Sequence, residues 1–102
     1  MIFIYITCAT KEQAEKIAFL MLKSRLVACA NIFPVNSLYW WNDKIENDNE
    51  FVLILKSLDK NFDQICTKVK QNHSYDVPCI IKIQCEADNM FLNFAKKKLS
   101  EK

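Results

Sequence analysis

The sequence predicts a fold of the α+β class, in which helices cover one face of a small antiparallel β-sheet. Two observations lead to this class. Stretches with the hydrophobic periods of strands and of helices follow one another along the chain, and two β-rich runs flank an Asn-Asp pair suited to a tight turn. The 102 residues have the length of one domain, residues 1–102, and can bury a core without metal or disulfide staples.

A strand and a helix open the chain. Ile2–Cys8 is almost continuously apolar and rich in β-branched and aromatic residues, as expected for a central strand covered by helices. Thr10 and Gln13 then have the spacing of a capping box, in which Thr10 accepts from the backbone and Gln13 reaches back. The helix that follows carries its apolar side chains on one face: Ala14, Ile17, Ala18, Met21 and Leu22.

A long hairpin, residues 25–57, forms the centre of the predicted fold. Its two β-rich runs, Leu26–Trp41 and Ile45–Lys56, flank Asn42 and Asp43, which are among the few residue types besides glycine that tolerate the positive φ angles of a two-residue turn. The base of the hairpin belongs to the predicted core, and its tip projects. The return strand begins with a charged section that we expect to be solvated, at Lys44, Glu46, Asp48 and Glu50.

Two adjacent tryptophans near the hairpin tip indicate contact with a second molecule. Successive strand residues point to opposite faces, so one small core cannot bury both Trp40 and Trp41. One of the two rings needs a surface from elsewhere. The simplest source of that surface is another copy of the same chain.

A second helix and a fourth strand follow the hairpin. Apolar spacing predicts the helix over Asp59–Asn72, with Asp59 or Ser57 as its cap. Residues Val77–Cys85 alternate with the two-residue period of a strand that buries one face. The predicted buried positions are Val77, Cys79, Ile81, Ile83 and Cys85.

A final short helix, capped by Asp88, completes the chain, and we expect its tail at Lys96–Lys102 to fray. The order of elements is that of the ferredoxin-like βαββαβ fold, here with a long projecting hairpin and an extra C-terminal helix. Right-handed crossovers place the two long helices on one face of the sheet. The other face then needs cover, which again favours an oligomer.

Composition excludes several classes of function. The absence of glycine removes the P-loop and the dinucleotide-binding fingerprint, which depend on its backbone freedom. A net charge of +2 gives no reason to expect nucleic acid or a membrane surface as a partner. Ile2–Cys8 lacks a basic leader and is too short to span a membrane, so we expect a cytoplasmic protein. No nucleophile has a base at a recognisable spacing, and we predict no enzymatic activity.

One histidine and five cysteines are the candidates for metal chemistry. The cysteines, at positions 8, 29, 66, 79 and 85, form no Cys-x-x-Cys pair, which indicates reduced thiols rather than a zinc site. Cys8 ends the first strand and Cys79 begins the last, so the fold could bring both near His73 and form a site for a soft metal such as copper. Alternatively, His73 ends the second helix and its imidazole meets the last helical carbonyls, an interpretation that the sequence favours.

Three segments of the chain carry the pattern of a known family. They are ITCATKEQAEKIA, the hairpin segment RLVACANIFPVNSLYWWNDKIENDNEFVLILKS and HSYDVPCIIKIQCEADNMFLNF. The spaced residues that carry the pattern are Thr7, Arg25, Leu26, Ala28, Cys29, Ser37, Tyr39, Trp41, Lys44, Ile45, Glu50, Lys56, His73, Tyr75 and Pro78. Through these residues, and over nearly its whole length, the chain resembles the CutA family of divalent-cation tolerance proteins.

The resemblance implies a stable cytosolic homotrimer of ferredoxin-like subunits whose long hairpins pack across neighbouring subunits. It implies tolerance of copper and other divalent metals as the function, with no required cofactor and no established enzymatic activity. By the same resemblance, a ligand would bind in an inter-subunit cleft or interface. The residues expected there are Tyr39, Trp40, Trp41, Lys56 and Tyr75.

The sequence departs from the family at its copper site. A bacterial site in the family uses a first-strand cysteine and adjacent histidines, and those positions here hold Ile6, Asn72 and His73. Cys79 stands in place of the usual glutamate and supplies a replacement ligand, so His73 and Cys79 are the candidate metal ligands. Two further departures, from a glycine and from a basic residue, lie in the hairpin at Asp43 and Trp40.

Two alternative functions remain open. A P-II-like regulatory trimer would sense a small anionic metabolite in its subunit clefts, although this chain lacks the glycine-bearing nucleotide loop of such proteins. A trimeric scaffold would contribute only a stable platform to a protein partner. A large thermal stabilisation by nucleotides would favour the first alternative, and a pull-down would test the second.

Overall fold

The fold is built on a four-stranded antiparallel sheet. The computed structural model describes residues 1–100. Its elements are β1 (Ile2–Cys8), α1 (Lys11–Lys23), β2 (Cys29–Trp41), β3 (Lys44–Ser57), a 3₁₀ turn (Asp59–Asn61), α2 (Phe62–Asn72), β4 (Ile80–Gln84) and α3 (Asn89–Ser100). The strand order β2-β3-β1-β4 confirms the predicted α+β class and its ferredoxin-like topology.

The core lies between the sheet and the first two helices. Every second side chain of β1 is fully buried, and the paired positions of β3 point the same way. These side chains pack against one face of α1 and of α2, as the helical spacing predicts. The buried positions of β1 and of the two helices are Ile2, Ile4, Ile6, Cys8, Ala14, Ile17, Ala18, Met21, Ile65 and Val69.

The predicted capping box at the start of α1 forms in part. The Thr10 hydroxyl accepts a hydrogen bond from the backbone N–H of Gln13 at 3.1 Å, which confirms the predicted cap. The Gln13 side chain instead accepts a hydrogen bond from the Ser74 hydroxyl at 3.3 Å. Because Ser74 lies in the loop after α2, Gln13 links the start of α1 to that loop.

The first hairpin strand starts later than predicted, at Cys29 instead of Leu26. Arg25 has a φ angle of 58°, and the N–H of Leu26 donates to the Met21 carbonyl at 3.0 Å, which closes the end of α1. Leu26 is buried in the connection between α1 and β2. Leu26, whose apolar character suggested the start of a strand, therefore helps to close the end of α1 instead.

The hairpin turn has the predicted geometry. Asn42 and Asp43 have φ angles of 49° and 60°, and Trp41 pairs with Lys44 across them. β2 and β3 are paired as far as the turn, whereas the pairing of β3 with β1 covers Phe51–Ser57. The tip therefore projects beyond the sheet as a two-stranded ribbon, and the longest dimension of the molecule is 44 Å.

The second helix also starts later than predicted, because the 3₁₀ turn Asp59–Asn61 precedes α2. Neither predicted cap serves this purpose. The Asp59 carboxylate accepts hydrogen bonds from Lys82 and Gln84 of β4, both at 2.9 Å. The Ser57 hydroxyl is buried and donates to the Leu26 carbonyl at 2.5 Å. Both side chains therefore join distant segments instead of capping the helix.

The fourth strand is shorter than predicted, and the prediction of its buried face is wrong. Ile80, paired with Ile6, packs against the core, whereas Ile81 and Ile83 lie on the opposite face and are about half exposed. A two-residue period separates the two faces of a strand, but it does not show which face packs against the helices. The register between β4 and β1 determines the buried face. The other positions predicted as buried lie outside β4 and are exposed or half-buried: Val77, Cys79 and Cys85.

We call the side of the sheet turned away from α1 and α2 the open face. Because paired residues share a face, the strand registers assign its apolar side chains. In the sheet they include Phe3, Tyr5, Phe33, Val35, Val52, Ile54, Ile81 and Ile83.

The last helix covers one end of the open face. The Lys56 ammonium lies 5.7 Å from the ring centroids of both Phe3 and Phe91, so it bridges the sheet to α3. Toward the other end, Phe33 and Ile81 keep 40% and 50% of their surface exposed. The predicted exposed apolar face is therefore present over the part of the sheet that α3 does not cover.

α3 begins at the predicted cap, where Asp88 Oδ2 accepts from the N–H of Met90 at 2.9 Å. The predicted fraying is wrong as far as Ser100, because the helix continues to that residue. Residues 101–102 of the predicted frayed tail lie outside the described residues. Within residues 1–100, no helix combines the length and the apolar character that a membrane crossing requires.

Substitution of Asp43 tests the hairpin turn. A φ angle of 60° costs an ordinary L-residue about 1–2 kcal/mol and glycine almost nothing. We expect Asp43→Gly to raise the free energy of unfolding by roughly 0.5–1 kcal/mol and Asp43→Ala to lower it. Guanidinium denaturation measures both changes. Equal stability of the glycine and alanine variants would contradict a turn that depends on positive φ.

Candidate functional site

A cleft of about 610 Å³ lies where the hairpin leaves the sheet. The end of β1 forms its floor, the hairpin forms one wall, and the loop between α2 and β4 forms the other. This volume is in the range of small-molecule sites. The lining residues are Thr7, Ser37, Tyr39, Trp40, Trp41, Glu50, Ser74, Tyr75, Asp76, Val77 and Cys79.

Glu50 is the buried charged residue of this cleft. It directly precedes the part of β3 that pairs with β1, and only 5% of its surface is exposed. Its Oε2 accepts a hydrogen bond from the Tyr75 hydroxyl at 2.6 Å. Burial and then this bond raise the pKa of Tyr75 above its usual range. The expectation that Glu50 is solvated is therefore wrong, because the Tyr75 loop covers it.

His73 holds the same loop against the end of β1. Its Nδ1 accepts a hydrogen bond from the backbone N–H of Tyr75 at 3.0 Å, so the proton lies on Nε2, which is 2.8 Å from the Thr7 carbonyl oxygen. The prediction that the imidazole meets the last carbonyls of α2 is wrong in this respect, since the carbonyl belongs to β1. Both ring nitrogens of His73 are engaged with the backbone.

Cys79 lines the cleft together with Thr7, the residue whose carbonyl His73 contacts. Burial raises the pKa of the Cys79 thiol, the Glu50 charge raises it further, and a hydrogen bond from the Thr7 side chain acts in the opposite direction. Cys8 differs, because its side chain lies on the core face of β1 and is fully buried. Burial, followed by the Glu50 charge, raises the pKa of Cys8 to about 11.

The predicted set of Cys8, Cys79 and His73 is thus only partly assembled. His73 contacts the Thr7 carbonyl and Cys79 lines the cleft together with Thr7, while Cys8 points into the core. In the described part of the chain, no group of three or more histidine, cysteine or acidic side chains is arranged to hold a metal ion. The residues present do not form a ready metal centre.

The hairpin wall contributes aromatic rings. Tyr39 and Trp41 are 36% and 46% exposed, and the Tyr39 hydroxyl donates to the Asp48 carboxylate. This bond, followed by burial and by nearby acidic charges, raises the pKa of Tyr39 to about 12. Trp40 is 71% exposed and contributes to the cleft lining, although strand alternation places its side chain on the other face of the ribbon.

The structure gathers most of the predicted cleft residues within one chain. Tyr39, Trp40, Trp41 and Tyr75 line the same cleft. Lys56 lies at the other end of the sheet, beside Phe3 and Phe91. Sequence reasoning missed Glu50, Thr7 and Ser37 as site residues, although each is among the residues that carry the family resemblance. Asp48 and Asp76 had no comparable signal.

The fold and the cleft define a small ferredoxin-like protein with an aromatic and acidic cleft beside a projecting hairpin. Residues 2–98 match the family of the CutA1 divalent ion tolerance protein, and the chain belongs to this family.

Relatives with known names agree with this assignment. The chain is 46% identical over 84 residues to the divalent-cation tolerance protein CutA of Archaeoglobus fulgidus, with 82% of each chain covered. It superimposes with a TM-score of 0.94 and 41% identity on the structure of the periplasmic divalent cation tolerance protein CutA from that organism, covering 98% of this chain and 100% of that one. The PII-like protein CutA from Nostoc sp. PCC 7120 shares the fold, with a TM-score of 0.89, 24% identity and 97% of each chain covered.

The reactivity of Cys79 provides a pH test of the cleft. Because burial and Glu50 raise its pKa, we expect alkylation of Cys79 by iodoacetamide to reach half its maximal rate at a higher pH than alkylation of a free cysteine. Glu50→Gln removes the charge and lowers this pKa, so alkylation at neutral pH should become several-fold faster. Peptide mass spectrometry follows Cys79 separately from the other cysteines.

The control for this test is Glu86→Gln. Glu86 follows Cys85, whose N–H donates to the Met1 carbonyl, and it therefore lies at the opposite end of β4 from Cys79. This variant should leave the rate at Cys79 unchanged. Equal rates in wild type and Glu50→Gln would contradict an electrostatic influence of Glu50 on the thiol.

Proposed function

We propose that this protein is a non-enzymatic divalent-cation tolerance protein that works as a cytoplasmic homotrimer and responds to copper and other divalent metal ions. Its membership of the CutA family supports the tolerance role. All five cysteines are unpaired, which fits a reducing compartment. The observation that carries the assembly is the apolar surface that one chain leaves exposed on the open face and on the hairpin.

The two apolar surfaces lie on opposite sides of the molecule. Trp41 lies on the open-face side of the hairpin ribbon, while Leu38, Trp40 and Ile45 lie on the other side and are each at least 66% exposed. A monomer rarely exposes extended apolar surface of this kind. If neighbouring copies cover both sides of each hairpin, the same contact repeats from copy to copy. A rotation of one third of a turn between copies closes these contacts into a ring, which is a trimer.

Metal binding through His73 and Cys79 is the second part of the proposal. Its support is that His73 contacts the carbonyl of Thr7, which lines the cleft together with Cys79. A metal ion at His73 has to displace either the N–H of Tyr75 from Nδ1 or the proton from Nε2, and at Cys79 it has to displace the thiol proton. Binding would therefore release protons and become tighter as the pH rises.

Size-exclusion chromatography with light scattering tests the assembly. We expect the mass of three chains of 12.0 kDa. Ile81→Asp places a charge on the open face and should dissociate the trimer, because an unpaired charge in an apolar interface is costly. Phe19→Asp is the matched control, since Phe19 lies outside the core on α1 and is 60% exposed. A monomeric wild type would refute the proposed assembly.

Copper titration tests the ligands. We expect His73→Ala and Cys79→Ser each to weaken copper binding by about tenfold or more, and the affinity of the wild type to rise with pH. Cys29→Ser is a suitable control, because Cys29 starts β2 opposite Lys56, far from the cleft. Equal copper affinities of the wild type and both ligand variants would remove His73 and Cys79 from consideration.

A small-molecule sensor is the second candidate function, and the cleft itself favours it. A volume of about 610 Å³ bounded by aromatic rings is larger than a metal ion needs. A P-II-like sensor would bind an anionic metabolite in this cleft. Within residues 1–100, the residues that line the cleft include acidic side chains and no lysine or arginine, which disfavours an anion within one subunit.

A further inference from the structure

The open-face side chains of β3 carry opposite charges at the two ends of the sheet. Along this face the strand presents, in order, Glu50, Val52, Ile54 and Lys56. The row therefore begins with a carboxylate, is apolar in its middle and ends with an ammonium group. The two charged residues lie about 20 Å apart at roughly 3.3 Å per residue, which is too far for an ion pair within one chain.

The Glu50 carboxylate has no cationic partner within residues 1–100. Only 5% of its surface is exposed, and its bond from Tyr75 comes from a neutral hydroxyl. A buried carboxylate is stabilised far more by a nearby cation than by a single neutral donor. Because Glu50 lines the cleft and a carboxylate has acceptor positions on both oxygens, it can accept from a further donor that arrives through the cleft.

The Lys56 side chain is the complementary case. It is half-buried, and in the described part of the chain its ammonium forms no ion pair with a carboxylate. The ammonium lies 5.7 Å from the ring centroids of Phe3 and Phe91, close to the outer limit of about 6 Å for a cation–π contact. A hydrogen-bonded carboxylate attracts an ammonium group more strongly than such rings do. Lys56 is therefore available to a carboxylate on another molecule.

The row is complementary to the same row of a second copy that packs on it with the strand reversed. Glu50 of one copy then lies beside Lys56 of the other. The apolar surface between the charged ends, which includes the partly exposed Phe33 and Ile81, is covered in the same contact. A head-to-tail contact repeated around a threefold axis makes this pairing once for each copy.

We propose that the open face is an interface between copies of this chain, in which Lys56 of the partner subunit supplies the counter-charge of the buried Glu50. The pair completes the cleft with a group from a second chain. It also fixes how the neighbour is aligned, since both charges are satisfied in one register only. The inference rests on the proposed assembly of identical copies and adds the residue that each copy contributes to the cleft of the next.

A double-mutant cycle in urea tests the pair, because urea carries no charge and does not screen ion pairs. The measured quantity is the equilibrium constant for unfolding per chain, at one fixed chain concentration. We expect Glu50→Gln and Lys56→Met each to raise this constant about tenfold or more, because each leaves a charge without its partner. The double variant should unfold about as readily as the less stable single variant.

Independent positions give a different result. Substitutions that lie about 20 Å apart and share no contact have effects that multiply in the equilibrium constant. Multiplicative effects of Glu50→Gln and Lys56→Met in folded variants would overturn the proposal.

Lys82→Met is the matched control for this cycle. Lys82 lies opposite Ile4 on the other face of the sheet, where its ammonium binds the Asp59 carboxylate at 2.9 Å. We expect its effect to multiply with that of Glu50→Gln, to within about twofold. Coupling of Glu50 to Lys82 as strong as its coupling to Lys56 would contradict a specific pair.

A carbodiimide cross-link in the wild-type protein provides an independent test, because substitution of the buried Glu50 can impair folding. The reagent joins a carboxylate to a contacting amine through an amide bond, and Glu50 and Lys56 of one chain are too far apart to react. We expect mass spectrometry to find a peptide that joins these two residues, in a product with the mass of more than one chain.

Lys56→Arg is the control for the cross-link, since the guanidinium keeps the charge but does not form this amide. It should preserve the assembly and lose the cross-linked peptide. If no Glu50 variant folds, the absence of this peptide from the wild type would overturn the proposal.

Light scattering on the wild type separates this inference from the proposed function. A trimer in which the two substitutions act independently overturns the ion pair alone. A dimer in which they are coupled supports the ion pair and overturns the proposed trimer. A monomeric wild type overturns both, and copper titration reports on the metal ligands separately.

Discussion

The hydrogen bond from Tyr75 to Glu50 is the contact on which the shape of the cleft depends. Glu50 occupies the point where β3 leaves β1 and continues into the hairpin, and only 5% of its surface is exposed. A carboxylate at that depth needs a donor, and Tyr75 brings one at 2.6 Å from the loop between α2 and β4. His73 holds the loop from behind, through Thr7 and the backbone of Tyr75. The loop, the hairpin and the end of β1 are thereby fixed in one arrangement.

Features decided by local sequence could be predicted, whereas those decided by register could not. The turn at Asn42 and Asp43 follows from the φ angles that these residues tolerate, and the Thr10 cap follows from spacing within one helical turn. The inward face of β4 depends on how that strand aligns with β1, which a two-residue period leaves open. The burial of Glu50 depends on the loop that follows α2, which is distant in sequence. The sequence did contain one signal of this burial: Glu50 lies two residues before the buried Val52, on the same face of the strand.

The family resemblance identified more of the cleft residues than the residue patterns did. Lys56 is the exception, because the resemblance places it in the cleft and the single chain does not. Glu50 and Lys56 lie on the same face of β3, about 20 Å apart at roughly 3.3 Å per residue. In the described structure, the Lys56 ammonium is engaged with Phe3 and Phe91. One subunit therefore cannot place both groups in one cleft. If both serve one ligand, the lysine has to come from another copy of the chain.

The adjacent tryptophans can now be assigned to different surfaces. Strand alternation places Trp41 on the cleft side of the ribbon with Tyr39, and Trp40 on the opposite side with Leu38 and Ile45. Beyond β1, this ribbon has no third strand within residues 1–100 to stiffen it, and an isolated two-stranded hairpin is only marginally stable in water. Cover on one side would protect Trp41 and leave Trp40 in solvent. Because Trp40 is the more exposed of the two, at 71%, contact on both faces would stabilise the projecting tip more than contact on one face.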